Sequence, residues 1–277
     1  MGHYRVWILL TIAGAWASAQ AQWASYPTPG IPRGSDGKPK LSAPAPRAPD
    51  GKPDLSGVWE AEPASREELQ RFLPGGFNLL GEDPPSRYFI NILADFKPEE
   101  APLHASTMSV FRERLAGRGK DAPFSRCLPA GIPVLDLAPV PFKIIQAPSV
   151  MVMLYEADNS FRQIHMDGRK LPSDNPLPSW MGYSTGKWEA DTLVVDTTGF
   201  NDRSWLDAFG HPHSDALHVT ERFHRRDVGH MEVQIAIDDP KSYTKPFTIK
   251  FDELLVPDTD LIENVCLENE KDVKHLQ

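Results

Sequence analysis

The chain has 277 residues, with 29 Lys and Arg against 38 Asp and Glu, a formal net charge of -9 and two cysteines. An acidic surface of this kind excludes a nucleic-acid partner, because neutralising phosphates takes clustered Lys and Arg. At this length one large domain is the simplest organisation.

The opening MGHYRVWILLTIAGAWASAQA has one basic residue, Arg5, a short apolar run, and small residues Ala19 and Ala21 around Gln20. It reads as a secretory signal peptide over residues 1–21, cleaved after Ala21. The run is shorter than the roughly 20 apolar residues a bilayer span needs, so membrane insertion is not expected. The protein is therefore expected in the periplasm or outside the cell. There an even pair of cysteines, Cys127 in RCLPAGIP and Cys266 in ENVCLENE, favours one disulfide, with two buried thiols as the alternative.

Residues 22–54 are dense in Pro and Gly, and an octet nearly repeats, SDGKPKLS at Ser35 and PDGKPDLS at Pro49. This composition reads as an extended arm or linker, and the repeat is too short to be expected as a structural module. In DLSGVWE, residues 54–60, glycine beside tryptophan suggests a bent first strand whose ring plugs the end of a barrel. Ser65 and Glu68 form a capping box ahead of Leu69, Phe72 and Leu73. A second helix is expected over 106–116, where Met108, Phe111 and Leu115 share a face. The helical insertion thus covers about 64–117, and DPPSRYFINILADF within it fits either helix or strand.

From Pro141 the pattern changes to period two. FKIIQ is one strand. VMVMLYE and SFRQIHM make a hairpin around Asp158 and Asn159, GYSTGKWE and TLVVDTTGF a second around Ala190 and Asp191, and LHVTERF and MEVQIAID a third around 227–229. FTIKFDELLV ends the series. The expected fold is mainly β, an antiparallel up-and-down barrel of lipocalin type with an N-terminal arm and a few helices, in a single domain over 55–277. A two-sheet sandwich is the alternative.

The stretches PDGKPDLSGVW, RCLPAGIP, FRQIHMDGRKLP, GYSTGKWEADTLVVDTTGFND, GHPHSDALHVTERF and LIENVCLENEKD together resemble a family of exported bacterial proteins, frequent in soil and freshwater bacteria. The resemblance covers nearly the whole mature chain. It implies export and carries no assigned activity. The family's common form has Gly where Ala190 stands. On G-x-W and strand count the barrel also resembles the lipocalin or calycin group, an analogy of fold alone.

Candidate chemistry starts at the strand from Leu217. Alternation puts Leu217, Val219, Glu221 and Phe223 on one face and His218, Thr220, Arg222 and His224 on the other. A carboxyl group among apolar neighbours has its ionised form disfavoured, which suits Glu221 to proton transfer. The plainer reading is a buried salt bridge with Arg162 or Arg169. Asp196, in TLVVDTTGFND, has largely apolar neighbours and is expected to face Glu221 across one cavity, where paired carboxyls would titrate apart. A capped Asp at a strand end is the alternative. His213, in the loop GHPHSDAL at the barrel mouth, and His165, in FRQIHMDGRKLP, would assist or orient. Arg169 would hold an anionic substrate group, with Asp167, Tyr183 and Trp188 beside it. The plainer readings are a local Asp167–Arg169 turn pair and core packing for Trp188.

His211, His213 and His218 also suggest a bound Zn, Cu or Fe. Pro212 interrupts the H-x-H pair, His218 falls opposite Glu221, and solvated loop histidines are the plain alternative. The chain has no Gly-rich phosphate loop, G-x-S-x-G elbow, or nicotinamide or flavin fingerprint, so no cofactor is expected. The leading expectation is a secreted, cofactor-independent acid–base enzyme, a lyase, isomerase or hydrolase, acting on a small, partly apolar organic molecule inside the barrel. A non-catalytic carrier of lipocalin type is the competing class, and a His-ligated metalloprotein the third.

Overall fold

Strict alternation along the C-terminal half lets each strand bury one face, and closure lets every strand find two partners. A computed structural model describes residues 26–73, 84–172 and 177–266. The leader read at residues 1–21 lies outside them. Nine strands close into one barrel: β1 Gly57–Ala61, β2 Phe142–Gln146, β3 Val150–Tyr155, β4 Phe161–His165, β5 Tyr183–Glu189, β6 Thr192–Thr198, β7 His218–Arg225, β8 His230–Asp238 and β9 Phe247–Leu255. β9 returns to β1 through Trp59↔Leu255. The fold is thus the expected lipocalin-like barrel. The three hairpins turn where the sequence placed them, and Ala190 at φ 53° takes the left-handed conformation that glycine favours.

One junction departs from an up-and-down meander. β4 and β5 run parallel and share only two register pairs, Ile164↔Ser184 and His165↔Thr185. The connection 166–182 is too long for a tight hairpin and returns the chain so that β5 starts beside the end of β4. This leaves a seam in the wall.

The Trp59 ring of the G-x-W stretch packs beside the chain entering β1 and the end of β7. Trp59 is fully buried, and its Nε1–H donates to the Leu55 carbonyl at 2.9 Å. The Arg225 guanidinium lies 4.7 Å from the Trp59 ring centre and donates to the Asp227 and Val228 carbonyls. Burial among these neutral acceptors lowers the Arg225 pKa to about 10.

The arm is strapped against the β7–β8 turn, and here the expectation that the repeat is too short to be a structural module is corrected. The near-repeat is a structural module, Arg-x-x-Asp-Gly-Lys-Pro, folded twice into the same turn. Gly37 and Gly51 sit at φ 78° and 81°, and Arg33 and Arg47 each donate Nη1–H to the turn carbonyl, at 2.9 and 2.7 Å. Each arginine also pairs with an aspartate beyond the arm, Arg33 with Asp258 and Arg47 with Asp191. Gly229 and Val228 donate their N–H to the Leu41 and Ala43 carbonyls. Specific turn chemistry adds to the apolar contacts that Ile31, Leu41 and Ala43 make with the barrel core.

Among the described residues four α-helices lie between β1 and β2: α1 Arg66–Phe72, α2 Arg87–Ile90, α3 Ala105–Ala116 and α4 Val134–Leu137. The Ser65–Glu68 capping box is present. In α3 the expected stripe is weak, since Leu115 is exposed and the buried residue is Thr107. α2 and α4 pack against each other, α4 packs on β1, and all four α4 residues are buried. The Cys127–Cys266 disulfide forms, with the two Cα atoms 5.6 Å apart. Among the described residues no helix is long and apolar enough to cross a membrane.

Candidate functional site

β7 turns Val219, Glu221, Phe223 and Arg225 inward. Glu221 is fully buried, as its neighbours implied, yet it is locked in a bidentate ion pair with Arg162. Arg162 Nη1–H donates to Glu221 Oε1 at 2.9 Å, Nη2–H to Oε2 and to Thr197 Oγ1, and Nε–H to Ser184 Oγ at 3.0 Å. Of the two readings of Glu221 the salt bridge is the one seen, and its partner is Arg162 rather than Arg169. Burial works against the Arg162 charge, but Glu221 outweighs it and holds the guanidinium pKa above its ordinary value.

Two further carboxyl groups share this interior. Tyr155 Oη–H donates to Asp136 Oδ1 at 2.7 Å, while Asp136 Oδ2 stands 3.8 Å from Arg162 Nη1. Burial, and then the Glu221 charge, push the Asp136 carboxyl up to about 8. Glu253 is fully buried with neither oxygen hydrogen-bonded to protein, and burial followed by Asp136 raises its pKa well above the usual range. Two acids, Glu221 and Asp136, thus stand beside one guanidinium, and a third, Glu253, is close enough to Asp136 to feel its charge. Glu253 was visible in FTIKFDELL, where it falls in phase with buried Phe247, Ile249, Phe251 and Leu255. Asp136 sits in a four-residue helix, too short for any periodicity to mark it.

The other proposed catalytic groups do not join them. β6 turns Leu193, Val195 and Thr197 inward, so Asp196 lies on the outer face, accepting from Thr220 Oγ1 at 2.8 Å and pairing with His218 Nε2 at 3.1 Å. Asp196 and Glu221 therefore do not face each other across a cavity. His213 is buried, with Nε2 2.7 Å from Ser204 Oγ and Nδ1 3.0 Å from the Ser214 carbonyl, and burial lowers its pKa. His211 is buried too, pairing with Asp207 and stacking on Phe111 with ring centres 4.0 Å apart. Asp207 also accepts the Ile92 and Gly210 N–H groups, so this histidine turn is a packed fastening and not an open rim. The three histidines do not converge, and among the described residues no group of three His, Cys, Asp or Glu is placed to hold a metal. Trp188 lines a separate hollow of about 260 Å³ against Pro49 and Asp50 of the arm.

Four of the expected residues do converge, at the seam. There a cavity of about 590 Å³ is lined by Phe161, Arg162, His165, Trp180, Tyr183 and Ser184, among others. The His165 and Tyr183 rings are 5.0 Å apart at 30°. Arg169 Nη1–H donates to Tyr183 Oη at 3.1 Å, and Arg169 grips Asp167 through Nε and Nη2. The hydrogen bond from Arg169 draws the Asp167 carboxyl down to about 2. Burial, and then the Arg169 charge, lower the His165 pKa, so the imidazole is neutral at pH 7. Phe161 is 59% exposed, which leaves an aromatic face uncovered beside the opening. Sequence reading missed Phe161 and Trp180 as site residues, because only the parallel crossover brings β4 next to residues 178–184. The rim also carries Asp158, Asn159 and Pro129, and Asn159 exchanges hydrogen bonds with Asn264 of the disulfide-tied tail.

No protein-family model matches the chain, and neither a curated protein nor a solved structure matches it.

Proposed function

We propose that the protein is an exported, non-catalytic carrier that holds a small, partly apolar organic molecule in the seam cavity. The guest presents a flat apolar face and a hydrogen-bonding edge. The observation that carries this reading is the cavity itself: about 590 Å³, within the range of small-molecule sites, walled by Phe161, Trp180, Tyr183 and His165 with a few polar groups at fixed positions. The disulfide supports export, since such bonds persist in oxidising compartments. Catalysis by Glu221 loses its basis because Arg162 already occupies both its oxygens. Fragment mapping by NMR tests the reading, with phenol, benzoate, 4-hydroxybenzoate and glucose as probes. Shifts confined to Phe161, His165, Trp180 and Tyr183 support it, and shifts elsewhere or none overturn it.

One observation favours a second reading as an acid–base enzyme. The neutral His165 imidazole lies against the Tyr183 ring at the cavity wall, where it could accept a proton from a guest. His165→Ala separates the two readings. An enzyme loses turnover with binding nearly intact, whereas a carrier has no turnover to lose.

A further inference from the structure

Beyond Trp180 the surface opens into a second hollow of about 580 Å³, whose walls include Ser179, Trp180, Asn201, Asp202 and Arg203. Ser179 and Trp180 also belong to the seam cavity. Half-buried Trp180 is therefore common to two hollows of nearly equal size, and together they form a groove longer than one ring-sized guest needs.

We propose that this groove is an oligosaccharide site, with Trp180 as the stacking platform between neighbouring sugar units. The inference rests on the seam cavity being a ligand site. A sugar ring has an apolar C–H face and a rim of hydroxyls, which is the chemistry these walls offer. Rings of Phe161, Trp180, Tyr183 and His165 supply flat apolar faces, the last three with a polar edge. Asp158 and Gln163 in the seam cavity, Asn201, Asp202 and Arg203 in the second hollow, and Ser179 in both supply donors and acceptors for hydroxyls. Asn201 spends its Oδ1 on the Arg203 N–H, which leaves its amide N–H₂ for a guest.

The arginines of the seam argue against a small anion as the primary guest. All three nitrogens of Arg162 donate to Ser184, Thr197 and Glu221, and Arg169 is held by Asp167 and Tyr183. A long alkyl chain fits poorly as well, because both hollows open on the surface and are bordered by carboxyl and amide groups.

The experiment is calorimetric titration of the mature chain with cellohexaose, xylohexaose, chitohexaose and maltohexaose and with each parent monosaccharide, read together with tryptophan fluorescence. The proposal expects at least one hexasaccharide to bind more than about tenfold tighter than its monosaccharide and to perturb the fluorescence. It also expects Trp180→Ala to remove about tenfold or more of that affinity. Asn201→Ala, a surface change in the second hollow, should weaken the hexasaccharide and leave the monosaccharide unaffected, so the proposal stays testable if Trp180→Ala misfolds. If no hexasaccharide binds at millimolar concentration, or if hexasaccharide and monosaccharide bind alike, the oligosaccharide site is overturned. Where phenol or benzoate still shifts the seam residues in that event, the seam reading stands without it. Where these also fail, both fall.

Discussion

Arg162 and Glu221 meet inside the barrel as a bidentate pair, the arginine delivered by β4 and the glutamate by β7, with neither side chain more than 1% exposed. Thr197 and Ser184 take the remaining directions of the guanidinium, so four strands are tied through one side chain. Two of them are β4 and β5, the pair with the shortest register in the wall. The bond from Arg162 Nε to Ser184 Oγ therefore supplements the backbone ladder where it is weakest, at the floor of the seam cavity.

Removing one partner leaves a buried charge without its counterion. Glu221→Leu and Arg162→Leu are each expected to lower unfolding free energy by about 3–5 kcal/mol in urea titration. The double variant is expected to lose clearly less than the sum of the two, because no orphaned charge remains. Strictly additive losses would show that the pair contributes little beyond side-chain packing.

The interior acids set a pH dependence whose sign follows from Asp136. Its ordinary pKa is 3.8 and its folded value about 8, so between these values the native state keeps a proton that the unfolded chain has lost. Stability therefore falls as pH rises through that window and levels off above it. Glu253, raised by burial and by Asp136, pushes in the same direction. Asp136→Asn imitates the neutral acid and keeps an acceptor for Tyr155. It is expected to flatten the slope, with its advantage over the wild type largest near pH 9 and shrinking toward pH 4. Urea midpoints at pH 5, 7 and 9 measure this, and a wild-type midpoint that climbs over that range would reverse the assignment.

The barrel was legible because period-two alternation and turn residues are local signals, and strands β2 to β9 follow them closely. The inward phase of Glu221 came from the same alternation. For Asp196 the pattern failed, since Val194 is buried on the outer face along with inward Val195 and both phases look apolar. The parallel β4–β5 junction has no local signature, so the seam cavity and the convergence of Phe161 with Trp180 stayed out of reach. His211 and His213 misled for a related reason. Their partners Asp207 and Ser204 precede them in an irregular stretch, where composition alone suggests a solvated loop.

The disulfide closes a separation of 139 residues, and chain entropy gives a contribution of about 5 kcal/mol. Cys127→Ser with Cys266→Ser is expected to lower stability by several kcal/mol, on the order of that figure. The second consequence is local. Residue 264 lies two positions from Cys266 and is hydrogen-bonded to Asn159 at the cavity rim, so losing the bond should also weaken guest binding at the seam. Denaturant titration and seam fragment affinity, each measured with and without dithiothreitol, test both statements. Unchanged affinity would uncouple the tail from the rim.

The strap against the β7–β8 turn makes a prediction in which two kinds of contact should differ. Arg33–Asp258 and Arg47–Asp191 are solvent-accessible pairs, so Arg33→Ala and Arg47→Ala should each leave stability nearly unchanged. Gly229 is different, because an added Cβ would stand 2.6 Å from the Leu41 Cβ and 3.2 Å from its carbonyl oxygen. Gly229→Ala must push the arm off the β7–β8 turn or bend the turn itself, with a cost of about 1–3 kcal/mol. Limited proteolysis reads the difference directly. The glycine variant should be cut within residues 26–54 well before the arginine variants are, while the barrel stays intact. Equal cutting rates would mean that the ion pairs, and not close backbone contact, hold the arm in place.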